Sequence, residues 1–415
     1  MKIRSALSYL LIICCLFPFV SFINTGTDIK PWTLLISLIY WIFHVRRIPF
    51  LYAGLLFLVT AALFLVSIQL AMAIGDADVD RMLTIARSLA NYLSLLVIPV
   101  ACHYVFVREP LDIEKILFWA ALIWFLAGLY QVFFGIEIFE YVVHWGDRAY
   151  DLDAMLRSSR GVVGFAPEPT FYGTVCFIFV LFNNVISYAN NEYKRSGRKK
   201  MVDVMMVVAI ILLAKSSMAA LFLVVYYAMS LLFLLNYRQI IFLMVLVGVV
   251  LFLFADTIKD SRLFYVLSSL YSDPTSLLYV DQSINARIVN AVFPLKGSFE
   301  RYFLPSIGYG DFHEYMLTQY NEYPNLLWRE STAANEKIMS GLGALFFELG
   351  FLGFVYVYFV VSLSRKFFQG NFLLAMQYSV VVLLVAISAI PIGFPAPLIM
   401  FSYMTSSIQM GKKMV

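Results

Sequence analysis

Arg157-Ser158-Ser159-Arg160-Gly161-Val162-Val163-Gly164-Phe165-Ala166-Pro167-Glu168-Pro169-Thr170-Phe171-Tyr172-Gly173 is the densest knot of Arg, Gly, Pro and Glu in a very apolar chain. It joins two hydrophobic runs, and it reads as a polar loop between membrane spans. Asp151 to Ser158 can form a short helix. Gly161 and Gly164 allow backbone torsions closed to other residues, or the close approach of a ligand. Pro169 suits the first turn of the next span, and Glu168 sits near that helix's positive end. Arg157 and Arg160 either snorkel to headgroups or offer a planar fork of donors that matches phosphate oxygens. At Arg160 the neighbouring glycines favour phosphate. Glu168 stays open between a cap, an ion-pair partner of Arg160 and a general base.

Composition agrees with a membrane protein. Hydrophobic residues make up 62% of the 415 residues and charged residues 13%, with mean hydropathy +0.83. A soluble protein carries roughly 25% charge. Cys14, Cys15, Cys102 and Cys176 all fall in apolar runs, which argues against disulfides and thiolate metal sites. Lys2 and Arg4 before an apolar run resemble a signal peptide. No small-residue cleavage site precedes Asn24, so an uncleaved first helix is expected.

Crossing the hydrocarbon takes about 20 apolar residues. Spans are expected near 5–23, 32–45, 50–74, 88–107, 116–139, 170–189, 201–214, 217–235, 239–256, 340–362, 372–390 and 395–410. The split at Lys215-Ser216-Ser217 matters most. An unbroken 201–235 would be too long for a simple crossing and would leave Lys215 in mid-membrane. Basic residues in short loops favour the cytoplasm. From an inside N-terminus every inner segment is basic: Lys2/Arg4, Arg46/Arg47, Arg108/Lys115, residues 194–200, Arg238, Arg365/Lys366 and Lys412/Lys413. The expectation is an all-α polytopic protein of about twelve transmembrane helices with both termini cytoplasmic. The whole chain, 1–415, forms one membrane domain. Two larger periplasmic loops, 140–169 and 257–339, carry short helices.

The second loop holds the other candidates. Residues 257–272 and 283–293 read as helices; Ile284, Ile288, Ala291 and Val292 make an apolar stripe on the latter. Arg287 lies at its edge, as a snorkelling cation or a phosphate ligand. Lys296, Arg301, the turn Ser306-Ile307-Gly308-Tyr309-Gly310 and His313-Glu314 follow. His313 reads as a structural hydrogen-bonder or a catalyst. The aromatics of this loop suit stacking on sugars or anchoring at the interface. No internal repeat is visible, and Walker, dinucleotide and HExxH signals are missing. The lopsided polar material counts against a secondary transporter, whose repeats tend to match between halves.

Several of these pieces, in order, resemble the bacterial O-antigen polymerase family (Wzy-type), which is related to the O-antigen ligases. Arg160 with Gly164, running into Phe165-Ala166-Pro167-Glu168-Pro169-Thr170-Phe171-Tyr172-Gly173, looks like the family's first outer-loop motif. Lys215-Ser216-Ser217 sits where the family has a Ser-Arg or similar pair. Asp281-Gln282-Ser283 with Arg287 resembles its second-loop element, and Gly308-Tyr309-Gly310 its glycine turn. Asn335 and the run from Leu342 to Gly353, with Glu348, resemble the entry to a late span. Asn335 stands where ligases tend to show His, which favours polymerase.

The resemblance implies joining of undecaprenyl-pyrophosphate-linked repeat units at the outer face of the bacterial inner membrane. Arg160 and Arg287 would meet the leaving diphosphate, with Glu168 or His313 as base. Arg157, Lys215, Arg301, Gly164, Gly308, Gly310 and Asn335 would bind pyrophosphate or sugar. Neither cofactor nor metal is expected. Membrane lipids, a chain-length regulator and a flippase are the partners implied, and nucleic acid is not. The alternatives are an O-antigen ligase and, in another class, a polytopic transporter or flippase.

Overall fold

A computed structural model describes residues 2–21, 29–75, 79–135, 139, 142–143, 161–190, 196–234, 282–306, 311–323, 338, 340–388 and 390–411. Every regular element among them is helical. In chain order these are α1 (Lys2–Leu16), α2 (Trp32–His44), α3 (Ala53–Gly75), α4 (Val79–Arg108), α5 (Ile113–Phe134), α6 (Pro169–Ala189), α7 (Gly197–Val208) and α8 (Ser217–Leu234). Then come α9 (Gln282–Glu300), α10 (Asp311–Glu322), α11 (Gly341–Leu349), α12 (Gly353–Phe367), α13 (Phe372–Ile387) and α14 (Pro395–Gln409). Five stretches are long and apolar enough to cross a membrane: Phe50–Gly75, Ile85–Arg108, Ile113–Phe134, Pro169–Ala189 and Gly341–Phe367.

Local chemistry sets the helix ends. α1 stops at Leu16 rather than residue 23, ahead of Pro18, because the residue before a proline resists helical torsions. α5 stops at Gly135, whose φ of +86° suits glycine. α4 starts at Val79, well before the expected residue 88. The span expected over 340–362 is broken at Gly350 (φ +56°) and resumes as α12 as far as Phe367. α9 runs past the expected residue 293, through Pro294, to Glu300. The expected split at 215 is present: α7 continues as a π turn, Ala209–Ala214, and Lys215 breaks it in left-handed conformation. The span expected at 239–256 and the helices expected at 151–158 and 257–272 lie outside the described residues.

α4 and α14 pack along each other at the centre, flanked by α2 and α3 on α4 and by α6 on α14. The basic connections gather at one end of the bundle. Tyr104 of α4 donates to the Arg47 carbonyl, and Arg108 donates to that of His44. Tyr188 of α6 packs on Phe367 and Phe368, beside Arg365 and Lys366. At this end Lys199 is fully buried and ion-paired with Glu114 at 3.4 Å. Ser196 donates to the same carboxylate at 2.7 Å. One of the basic residues in 194–200 is therefore a packed cation, whereas the sequence places them all in a loop. At the opposite end Phe19 meets Phe171 and Phe394.

Candidate functional site

The site is built where the first polar loop returns to the bundle. A helix end leaves its last carbonyls without partners, and the π turn closing α7 exposes those of Leu213 and Ala214. The loop covers them. Val162 N–H donates to Leu213 O at 2.8 Å. A Cβ on Gly161 would stand 1.9 Å from Ala214 O, so only glycine allows this approach. In sequence Arg160 precedes Gly161 and Lys215 follows Ala214. Lys215 is exposed there.

Three further contacts fix the loop. Gln131 Oε1 of α5 accepts from both Val163 N–H and Gly164 N–H, each at 2.8 Å. Phe165 packs edge-on to Phe17, Trp124 and Phe139. Gly164 has φ +52°, and a Cβ there would meet the Tyr172 ring at 2.9 Å. Tyr172 is itself buried and donates to Trp124 O. Glycines 161 and 164 are thus required by the chain's own backbone and side chains. The close approach expected for a ligand at Gly164 is taken by Tyr172. Glu168 occupies the N-cap position of α6, half-buried and without a capping hydrogen bond, and Pro169 is in the first turn as expected. Gly173 lets α6 pass against Ala214, Ser216 and Ala219.

The second constellation is a helical hairpin. α9 and α10 share a small core of Val289, Phe293, Phe312, Met316 and Tyr320, closed by Phe347 of α11. Lys296 Nζ joins the two arms. It lies 2.6 Å from Gln319 Oε1, 3.3 Å from Tyr323 Oη and Glu300, and 3.5 Å from Glu322. Burial works against this ammonium, but Tyr323, Glu300 and Glu322 outweigh it, so its pKa is raised. Arg301 lies 4.0 Å over the Phe347 ring and donates to the carbonyls of Gly297 and Phe347. These contacts make Arg301 a clamp between α9 and α11. Arg287 is on the first turns of α9 and His313 on the first turn of α10. Their side chains, and Arg157, Arg160, Gly308, Gly310 and Asn335 entirely, lie outside the described residues.

A carboxylate in an apolar helix links the hairpin to the bundle. Glu348 of α11 accepts a hydrogen bond from Tyr92 of α4, and its carbonyl accepts from Ser306 N–H. Beside it the chain between α13 and α14 is not helical. Gly341 N–H donates to Ile390 O, and Gly393 packs on the Asn91 backbone. Phe19 then bridges Phe394 to Phe171 of α6. A rim of contacts thus passes from Ser216 against Gly173, through Phe171, Phe19 and Phe394, to Gly393 against Asn91. Gln131, Tyr92 and Lys296 are the residues that sequence reasoning missed as organisers. Gln131 and Tyr92 sit singly in apolar helices, and only that isolation marks them.

No family model matches the chain, and no curated protein resembles it closely enough to count as a relative.

Proposed function

We propose that the protein polymerises lipid-diphosphate-linked oligosaccharide repeat units into a surface polysaccharide at the outer face of the bacterial inner membrane. The observation that carries this reading is the docking of Gly161 and Val162 on Leu213 and Ala214. Arg160 is the residue before Gly161 and Lys215 the residue after Ala214, and on this reading the two cations meet one anion. Arg287, from the second loop, completes the cationic set.

In the reaction an acceptor hydroxyl oxygen attacks the anomeric carbon of the growing chain. The bond from that carbon to the diphosphate oxygen breaks, and undecaprenyl diphosphate leaves. The hydroxyl proton passes to Glu168 or His313. The leaving group carries about two to three negative charges, and cations aimed at it stabilise the charge as it develops. Arg160 and Arg287 carry that role, with Lys215 and Arg157 in support. Energy comes from the diphosphate linkage.

Deletion of the gene followed by lipopolysaccharide gel analysis tests the reading. The expected phenotype is a core bearing a single repeat unit. A core with no repeat unit would assign the protein as a ligase instead, and unchanged long chains would exclude both.

A further inference from the structure

The loop over 257–339 reads from sequence as lying outside the membrane. The placement of α9 and α10 assigns part of it elsewhere. α9 descends alongside α11 in the same direction. A Cβ on Gly343 would lie 3.1 Å from Asn290 O, and one on Gly297 would lie 2.8 Å from the Phe347 ring. Further down, Phe351 N–H donates to Phe303 O, and Ser306 N–H donates to Glu348 O. The hairpin tip is therefore level with Gly350, inside the apolar stretch Gly341–Phe367. At about 1.5 Å of rise per residue, Gly350 stands about 25 Å from Phe367. Arg365 and Lys366 mark that far end as a polar boundary. A hydrocarbon core is about 30 Å thick, so the tip falls inside the near boundary.

The tip is built for such a place. Arg301, Tyr302, Phe303, Leu304 and Ser306 all donate their N–H to carbonyls of the chain, and Pro305 has none to offer. Tyr302 and Phe303 accept left-handed torsions, φ 53° and 57°, to achieve this. Donors satisfied within the protein are what a backbone needs in lipid. Phe299, Tyr302 and Leu304 are exposed by 64%, 88% and 64%. Phe303 packs on Phe354, itself exposed. Phe354, Tyr358 and Val361 form the outward stripe of α12. The apolar surface of the tip is thus continuous with that of a membrane-crossing helix, while Glu300 and Glu322 line the hairpin's other side.

We infer that the α9–α10 hairpin is a membrane wedge whose tip, Phe299 to Leu304, is inserted among the acyl chains of the leaflet on its own side. Its occupant is lipid hydrocarbon. The inference is independent of the polymerase reading.

Photolabelling of the full chain tests it. The protein is reconstituted in phosphatidylcholine–phosphatidylglycerol vesicles containing a phosphatidylcholine with a diazirine in mid-chain. Adducts are mapped by mass spectrometry after irradiation. Adducts at Phe299, Tyr302 or Leu304 are expected, at a yield within about threefold of Phe57 and Phe64 on α3, with Gln319 and Glu322 unlabelled. Labelling of α3 without labelling of 299–304 would overturn the inference.

Discussion

Two glycines, Gly161 and Gly164, carry the docking of the first loop, and Gly197 is the control. Gly161→Ala drives a methyl into the Ala214 carbonyl, so the loop must leave the α7 end. Gly164→Ala adds left-handed strain of about 1–2 kcal/mol to a clash with Tyr172. Gly197 has open space at its Cβ and begins α7, so Gly197→Ala should be neutral or slightly stabilising. Thermal unfolding in detergent should show the first two lowered by several degrees and the third unchanged. A Gly161→Ala protein as stable as the native one would contradict the docking. Gln131→Ala strands two buried N–H groups at about 1–3 kcal/mol each, while Gln131→Glu keeps the acceptor. Hydrogen exchange at Val163 and Gly164 should rise strongly in the alanine variant alone. None of this was legible in the sequence, because Gly-x-x-Gly specifies permissive backbone without saying what approaches it.

The paired elements carry different liabilities. The Lys199–Glu114 pair joins α5 to α7 under full burial of the lysine. Removing Glu114 takes a carboxylate from a buried ammonium, at a cost of up to about 3–5 kcal/mol. Glu114→Gln should therefore destabilise more than the double variant Glu114→Gln/Lys199→Met. A double variant less stable than either single one would refute the pairing. The helix break at Lys215 was legible, since a mid-membrane position would not tolerate the lysine, whereas the expected spans 5–23 and 116–139 ran through Pro18 and Gly135, where α1 and α5 have already ended. The break at Gly350 was not legible either. It exists because Phe303 O approaches within 2.0 Å of the Cβ position there, a contact from a segment some fifty residues earlier. Gly350→Ala should unseat the hairpin from α11 and expose Arg301, measurable as tryptic cleavage at that site in reconstituted protein.

At the scale of the whole molecule, the apolar runs and the basic loops made the helical membrane bundle legible. Arg47 and Arg108 both meet Tyr104 at one pair of basic connections, and Tyr188 meets Phe367 beside Arg365 and Lys366 at another. The candidate site was legible as residue types, Arg160 and Lys215 in two short motifs, but the contact of Gly161 and Val162 with Leu213 and Ala214 rests on a carbonyl left open by a π turn that no pattern announces. The partnership of Tyr92 with Glu348 was equally hidden, since both sit inside apolar helices far apart in sequence. The central claim is that cations at this rim act on a lipid diphosphate. The direct measurement is incubation of purified protein in nanodiscs with an undecaprenyl-diphosphate-linked repeat unit, reading chain length and released undecaprenyl diphosphate together. The account predicts a ladder of polymers with one carrier released per linkage, both lost at least a hundredfold in Arg160→Ala and Arg287→Ala and reduced in Lys215→Ala. Polymer formed at the native rate by the two arginine variants, in folded protein, would contradict it.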